Sequence, residues 1–348
     1  MNPLAGPILL VGELCPDIVV AGVPTTGTSL RFGQAEDLVS RTTMTLGSSA
    51  GITACAATAA GEQVRLLAVS GDDEFGAACR RWLKERGVDT SAVRVDPRQH
   101  TGSSVILVRS DDPTDREILT DLGAMTALRA EDVTDDLLAT SRHLHISSFF
   151  LHHGARDRLH TRMARARELG LTVSLDTNDD PDRAWASGAS EAIAQTDLLF
   201  VNESEARGLA GAGDDAPAET AVRALLARMP VPGNPIGDRD PRFPAVVLKL
   251  GAAGAAVHTH RESWHIPAPS VTVVDTVGAG DTLAGTCLAR LLAGDDWPTA
   301  LSLGVAAASL STQVAGGTAG QCSLDEVRGL AAILTAGPTR SPDPEKTR

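Results

Sequence analysis

Short runs of β-branched and aliphatic residues alternate along the chain with longer segments rich in alanine, leucine and arginine. The run ILLVG at 8–12 predicts a buried strand, and FGAACRRWLKERG at 75–87 places apolar residues at helical spacing before a glycine that can end a helix. Because parallel strands need crossover connections, the alternation predicts a doubly wound, three-layer α/β/α domain. Further helices are predicted at 49–61, 155–169, 187–195 and 217–229, and further strands at 64–71, 143–148, 171–176, 197–202 and 245–251.

Two stretches, 17–46 and 101–122, lack the helical period and look extended. The second contains TGSSVILVRS and DREILTDLG on either side of a polar turn, which predicts an antiparallel hairpin. Together they predict a small β-sheet that projects from the main body as a lid. The proline-rich segment 230–244 predicts an exposed insert, and the polar tail 337–348 predicts disorder. Residues 1–336 are therefore expected to form one domain.

Composition narrows the class of protein. The 348 residues are 43% hydrophobic and 22% charged, which is typical of a globular protein. The net charge of −13 and the scarcity of aromatic rings disfavour nucleic acid as a partner. No apolar run approaches the length of a membrane span, and the five dispersed cysteines are typical of reduced thiols. We expect a cytoplasmic protein that binds neither nucleic acid nor membrane.

The segment VVDTVGAGDTLAGTCLARLL at 273–292 carries the most specific chemistry. A β-branched strand is predicted to run into a glycine-rich turn at 275–281, which an amphipathic helix follows at once. Gly278 and Gly280 leave backbone amides unobstructed at the start of that helix, where the dipole favours an anion such as a phosphoryl group. Asp281, beside these amides, is suited to accept the proton of an attacking hydroxyl. Its alternative is an ordinary helix cap.

DTVGAGD followed by a small-residue helix resembles the C-terminal signature of the PfkB/ribokinase-like carbohydrate kinase family. The resemblance covers roughly residues 8–333. It implies a ribokinase-type α/β fold and an ATP-dependent kinase that phosphorylates a primary hydroxyl of a sugar or sugar acid. Other motifs of the family occur in the same order: Gly12-Glu13 with Asp17, the GDDEFG segment at 71–76, the N-x-x-E motif at Asn202 and Glu205, and the K-x-G-x-x-G turn at Lys249, Gly251 and Gly254.

The resemblance also implies a role for each matching residue. Asp281 would be the base, and the amides of Gly278, Ala279 and Gly280 would form the anion hole. Residues near ATP would be Lys249, Gly251, Gly254, Asn202 and Thr276; Glu205 with Asn202 would organise Mg²⁺, and Asp275 and Val277 with the stretch 308–320 would hold a monovalent cation such as K⁺. The alternatives are ordinary helix capping for the N-x-x-E pair and a surface lysine that extends to solvent for Lys249.

The helix expected to bind the acceptor departs from the family pattern. The family opens this helix with G-G-x-x-x-N, whereas this chain has Gly47-Ser48 and then Ile52 at the asparagine position. Because isoleucine cannot hydrogen-bond a sugar hydroxyl, the acceptor stays open. Gly47, Ser48 and Asp17 are expected near it, the aspartate having a solvated sheet-edge position as its alternative. A fructokinase or ketodeoxygluconate kinase is favoured, with a nucleoside kinase as the alternative and a non-catalytic binding protein less favoured.

Three further polar residues follow predicted strands or lie in the hairpin. Asp176 and Asn178 end a strand, where doubly wound folds bind ligands, and are predicted near the phosphates or as turn formers. Arg116 is predicted either to reach an anionic substrate group or to face solvent. Exposed edges of the lid sheet tend to pair, which predicts a homodimer through the lid.

Overall fold

The computed structural model describes residues 6–24, 36–111, 116–230 and 242–334, together with the backbone of 339–340. The strands are β1 (Ile8–Val11), β2 (Pro16–Val23), β3 (Arg41–Leu46), β4 (Val64–Leu67), β5 (Val69–Gly71), β6 (Arg94–Asp96), β7 (Thr101–Arg109), β8 (Arg116–Gly123), β9 (His143–Ser147), β10 (Thr172–Asp176), β11 (Leu198–Asn202), β12 (Ala245–Lys249), β13 (Ala255–Thr259), β14 (Ser263–Ile266) and β15 (Thr339–Arg340). The helices are α1 (Ser49–Ala59), α2 (Glu74–Glu85), α3 (Asp135–Ala139), α4 (Arg156–Glu168), α5 (Ala189–Ile193), α6 (Glu203–Ala210), α7 (Ala218–Leu226), α8 (Ala279–Leu292), α9 (Trp297–Ser311) and α10 (Leu324–Leu334).

The central sheet has the order β4-β1-β9-β10-β11-β12-β13-β14-β15. The strands from β4 to β12 are parallel, and β13, β14 and β15 join antiparallel at one edge. Strand β1 shows why the apolar runs lack alternation. Its residues Ile8 and Leu10 face one apolar cluster while Leu9 and Val11 face the other, so both faces are covered.

Helices cover the central sheet on both sides. Side chains of α1, α2, α8, α9 and α10 join the cluster on one face, for example Leu283 and Val327. Those of α4 to α7 join the cluster on the other, for example Leu159 and Leu225. The predicted three-layer α/β/α architecture is confirmed. Within the described ranges, no helix has both the length and the apolar character needed to cross a membrane.

A second sheet has the order β3-β2-β7-β8, with β2 and β7 parallel and the outer strands antiparallel. One side packs onto the glycine-rich turn, where Val19 and Ile106 contact Val277. Ile118 and Leu119 on β8 are each about half exposed. Apart from Pro16 and Gly123 at their ends, its strands fall within the stretches 17–46 and 101–122, and their role as a lid stays a prediction.

Two strand predictions were wrong. The stretch predicted as one strand at 64–71 forms β4 and β5, and β5 leaves the central sheet to pair with β6. The described residues 267–278 form no strand before or within the turn; instead the amides of Val274 and Asp275 donate to the carbonyl of Thr312, at 2.8 and 3.0 Å. At the sheet edge β14 pairs with β15, and the segment before the turn contacts the end of α9.

The predicted insert and tail lie mostly outside the described residues. Of the insert at 230–244, residues 231–241 are not described. Of the tail at 337–348, only Thr339–Arg340 is described, and it pairs with β14.

Candidate active site

Polar side chains from several elements gather at the carboxyl ends of the parallel strands, where doubly wound folds bind ligands. Glu13 follows β1 and Ser148 follows β9. Asp176, Asn202 and Lys249 are the last residues of β10, β11 and β12. The start of α1 meets this edge, because the Ala50 amide donates a 3.4 Å hydrogen bond to Glu13 Oε1, and Thr53 of α1 donates one of 3.4 Å to the Asp281 carbonyl of α8.

The glycine-rich turn presents free backbone amides at the start of α8. Gly278 adopts a left-handed conformation with φ of 70°, and the Ala279 amide closes the turn on the Thr276 carbonyl at 3.3 Å. Within the part of the chain that the structure describes, the amides of Gly278, Gly280 and Asp281 have no hydrogen-bond acceptor. Free amides at a helix start bind anions. Of the three amides predicted to form the anion hole, that of Ala279 is therefore already engaged.

Lys249 supplies a positive charge beside this turn. Its Nζ lies 3.0 and 2.9 Å from the carboxylate oxygens of Asp176 and 4.0 Å from Glu205 Oε2. A Cβ on Gly280 would lie 3.3 Å from Lys249 Cδ, so the lysine stem packs along the turn. Burial lowers the pKa of Lys249, but the carboxylates of Asp176, Glu205 and Asp281 raise it further, and the net result is above its ordinary value. The alternative of a lysine that extends to solvent does not fit this burial.

The pKa of the Asp281 carboxyl group is shifted towards neutral pH. Burial raises its pKa to about 7, and the charges of Asp176 and Glu13 contribute in the same direction. Lys249 and the hydroxyl of Ser49 lower the pKa. A base is most effective when its pKa lies near the working pH, so this group is suited to accept a proton from an alcohol.

Asn202 and Glu205 form a reciprocal cap on α6. The Asn202 amide donates to Glu205 Oε2 at 2.8 Å and its Nδ2 donates to Oε1 at 2.7 Å, while the Glu205 amide donates to Asn202 Oδ1 at 2.9 Å. The capping alternative is therefore present, and each carboxylate oxygen retains a second lone pair. Within the described ranges, no three His, Cys, Asp or Glu side chains are grouped to hold a metal. Mg²⁺ at this pair would need phosphate and water as its other ligands, which is its usual mode.

The two glycines after β12 differ in what surrounds them. Gly251 has φ of 57°, and a Cβ there would meet nothing within 4 Å. Gly254 has φ of 94°, and a Cβ there would lie 2.0 Å from the Ile266 carbonyl oxygen. A side chain at Gly251 would therefore enter open space, whereas one at Gly254 would clash with the end of β14.

The predicted acceptor residues lie together at the start of α1. Asp17 is only 5% exposed, so its solvated alternative does not fit, and a Cβ on Gly47 would lie 2.1 Å from Asp17 Oδ1. Ser48 has φ of 64° and caps α1 by accepting a 2.8 Å hydrogen bond from the Gly51 amide. Burial, followed by the charge of Glu13, raises the pKa of Asp17 to about 7.

Asp275 and Arg116 connect the turn to neighbouring loops and to the second sheet. Asp275 accepts from the amides of Val277 and Gly316, at 2.9 and 2.8 Å. Arg116 on β8 donates to Thr276 Oγ1 at 3.0 Å and lies 3.9 Å from Asp275. Each Asp275 oxygen accepts one amide hydrogen and retains a second lone pair, so the carboxylate could still contribute to a monovalent cation site beside backbone carbonyls. Arg116 does not simply face solvent.

Ile52 packs where the family pattern has asparagine. A Cβ on Gly278 would lie 2.8 Å from Ile52 Cδ1, and one on Gly317 would lie 2.4 Å from it. The side chain therefore fills an apolar contact between α1, the turn and the loop after α9.

Ser49 and Ser148, which contact Asn178, were not predicted from the sequence. Their only signal was their position at the ends of predicted elements.

Comparison with known proteins identifies the family. The model of the pfkB family carbohydrate kinases matches residues 11–323, which is most of the chain. The chain belongs to the pfkB family. Among the relatives of this pfkB kinase, an ATP-dependent ribose-1-phosphate kinase from Halopiger xanaduensis is 30% identical over 272 residues, 78% of this chain and 80% of the relative. A 2-dehydro-3-deoxygluconokinase from Thermoproteus tenax is 31% identical over 269 residues, 75% of this chain and 77% of the relative.

The fold agrees with this assignment. The solved structure of Arabidopsis thaliana ribokinase complexed with ribose and ATP superposes with a TM-score of 0.74 at 22% identity, covering 94% of this chain and 99% of the ribokinase. The predicted ribokinase-type fold is confirmed. The pfkB protein is a phosphotransferase with a hydroxyl acceptor, as its sequence predicts.

Proposed function

We propose that this pfkB kinase transfers the γ-phosphate of ATP to a primary hydroxyl of a sugar or sugar acid, with Asp281 as the catalytic base. One observation carries the proposal. The Asp281 carboxyl, whose pKa burial raises to about 7, lies at the start of α8 among free backbone amides and beside protonated Lys249. A proton acceptor next to an anion site is what alcohol phosphorylation requires.

Each group then has a part in the transfer. Asp281 takes the proton of the acceptor hydroxyl as its oxygen attacks. The amides of Gly278, Gly280 and Asp281 donate to the negative charge that develops on the phosphoryl oxygens. Lys249 offsets the same charge. ATP would supply the phosphoryl group and leave as ADP, and Mg²⁺ held by Glu205 and Asn202 would neutralise charge on the phosphates.

The remaining predicted residues surround this centre. We assign the open space at Gly251, together with Gly254 and Thr276, to the nucleotide side. Glu205 and Asn202 would hold Mg²⁺, with Lys249 nearby to balance the carboxylate charge. Asp275 and Val277 would support K⁺ next to the turn that Asp275 ties to Gly316.

We assign Asp17, Gly47 and Ser48 to the acceptor. A buried carboxyl in contact with a helix start is suited to accept hydrogen bonds from sugar hydroxyls. The relatives named above act on a sugar phosphate and a sugar acid. An acceptor panel of fructose, ribose, ribose 1-phosphate, 2-keto-3-deoxygluconate and adenosine separates these classes, and phosphorylation of adenosine alone would favour the nucleoside kinase instead.

We further propose that the second sheet is a lid and a dimer surface. Its outer strand β8 carries the exposed apolar side chains Ile118 and Leu119. Ile118→Asp should convert a dimer to a monomer in light scattering after gel filtration.

We place the protein in the cytoplasm, because all five cysteines are free thiols and a reducing compartment maintains them.

Asp281→Asn tests the role of the base. We expect ADP release with the best acceptor to fall by about 10²–10⁴-fold, with ATP binding retained in calorimetry. Asp296→Asn is the matched control, because Asp296 caps α9 through a 3.0 Å bond to the Thr299 amide, away from the site. Wild-type turnover in Asp281→Asn would refute the assignment.

A further inference from the structure

Glu13 is a buried carboxyl group that the proposed chemistry leaves unused. It is 3% exposed, and its Oε1 accepts a 3.4 Å hydrogen bond from the Ala50 amide. Its Oε2 is buried and has no hydrogen-bond partner among the residues that the structure describes. Burial raises the pKa of Glu13, since the charged form loses its hydration. Because burial of a carboxyl group is energetically unfavourable, its presence here needs a physical reason.

Asn178 connects two serines that lie between Glu13 and Asp281. Its Nδ2 donates to Ser49 Oγ and to Ser148 Oγ, the latter at 3.1 Å. Asn178 has φ of 53°, a left-handed conformation that asparagine tolerates better than most residues. We call Ser49, Asn178 and Ser148 the polar bridge.

Each hydrogen in the polar bridge can be assigned to one donor. An amide nitrogen carries two hydrogens, and the two serine oxygens take both. Each serine hydroxyl therefore keeps its own hydrogen for another acceptor. The Ser49 hydroxyl lowers the pKa of the Asp281 carboxyl, and the Ser148 hydroxyl lowers that of Glu13, so each hydroxyl lies near one of the two carboxyls. The two Asn178 hydrogen bonds thus link the serine near Glu13, which follows β1, to the serine near Asp281 at the start of α8.

We propose that Ser49 and Asn178 are positioning residues that orient the Asp281 carboxylate, and that Glu13 anchors the far end of the polar bridge. The inference rests on the proposed role of Asp281. A carboxylate must keep one oxygen directed at the acceptor hydroxyl, and small misplacements of reacting groups slow catalysis strongly. Ser49 holds the other oxygen in place, Asn178 fixes the Ser49 hydroxyl, and Glu13 with Ser148 fixes Asn178.

The groups that face Asp281 shift its pKa in opposite directions. Beyond burial, Asp176 from β10 and Glu13 after β1 raise its pKa. Lys249 from β12 and the Ser49 hydroxyl lower the pKa. Removing the Ser49 hydroxyl should therefore move the acidic limb of the pH–rate profile upward. Removing the Glu13 charge should move the limb downward.

Ser49→Ala and Glu13→Gln test these signs. We expect Ser49→Ala to lower kcat about 10-fold to 100-fold, with KM for ATP unchanged, and to raise the acidic midpoint of kcat/KM by about one pH unit. Glu13→Gln should lower that midpoint. Ser147→Ala is the matched control, since the Ser147 hydroxyl is buried at the same strand end without a partner among the described residues. It should leave the profile unchanged.

A readout that needs no acceptor keeps this test separate from the proposed function. The Asp281 carboxyl can be titrated by carbon-13 NMR in wild type, Ser49→Ala and Asn178→Ala, and both variants should titrate at higher pH than wild type. An Asp281 titration that is the same in all three proteins would overturn the inference even if the kinase is active. Loss of turnover in Asp281→Asn with no shift in Ser49→Ala would leave the proposed function standing and refute the positioning role alone.

Discussion

The ion pair between Lys249 and Asp176 makes a sharp prediction about stability. The Lys249 Nζ lies 2.9 Å from Asp176 Oδ2, and the two side chains are 13% and 1% exposed. At this distance and an effective dielectric constant of about 20, two unit charges attract by about 6 kcal/mol. Much of that is offset by the hydration that both groups lose on burial. The net contribution of the pair to stability is therefore small, but the loss of stability when only one of the two charges is removed is large.

Removing one partner leaves a buried charge alone. We expect Lys249→Met to lower the free energy of unfolding by about 3–5 kcal/mol, because Asp176 then has no counterion at bonding distance. The double variant Lys249→Met with Asp176→Asn removes both charges and should recover most of that loss. Turnover should stay low in the double variant, since the charge beside Gly280 is still missing.

Urea denaturation followed by circular dichroism at pH 8 measures these differences. Arg328→Met is the control, because Arg328 pairs with Asp325 at 3.2 Å on the surface, where both side chains are more than half exposed. It should change stability by less than about 0.5 kcal/mol. If Lys249→Met is as stable as this control, or if the double variant is as unstable as the single one, the account of the pair is wrong.

Three other predictions follow from groups around the turn. Asp281 and Asp17 have pKa values raised from 3.8 to about 7, so the folded protein binds more protons than the unfolded chain between these values. The free energy of unfolding should therefore fall as pH rises from about 4 to 7, which urea midpoints at pH 5 and 8 measure. Turnover should rise over the same range as Asp281 loses its proton, which pH–rate profiles measure. Arg116→Met should increase ADP release without acceptor, measured against release with acceptor, because the second sheet loses its bond to the turn. Ile52→Asn should cost about 2 kcal/mol in urea unfolding, since it places an amide in an apolar contact, whereas Ile52→Val should cost about 1 kcal/mol.

The architecture could be predicted because strands covered on both faces are apolar throughout. Residues 8–11 are all buried, and their pattern alone identifies a central strand. The break between β4 and β5 could not be predicted, because Leu67, Ala68 and Val69 are all buried and no polar residue marks the change of sheet. The wrong strand before the turn has a related cause. β-branched residues such as Val273 and Val274 favour an extended backbone, but they do not specify a partner strand.

The candidate site could be predicted only where a motif is continuous in sequence. The turn at 275–281 contains its own amides and its own carboxyl group, so its chemistry can be read locally. The contact between Lys249 and Asp176 joins the ends of two strands that are not neighbours in the sheet. The polar bridge joins a residue of α1 to residues that follow β9 and β10, and no spacing along the chain connects them. Such contacts become visible only when the sheet order places the strand ends together.

Ile52 shows why the family motif cannot specify the acceptor in this chain. Its side chain fills the contact between Gly278 and Gly317, so it supports the anion-binding turn instead of reaching a sugar hydroxyl. Recognition of hydroxyls must then come from other polar groups, such as buried Asp17 on the second sheet, which packs against Gly47 just before α1. The second sheet also contacts the turn through Arg116. Acceptor choice in this kinase is therefore expected to follow residues of the second sheet more closely than the sequence of the helix that carries Ile52.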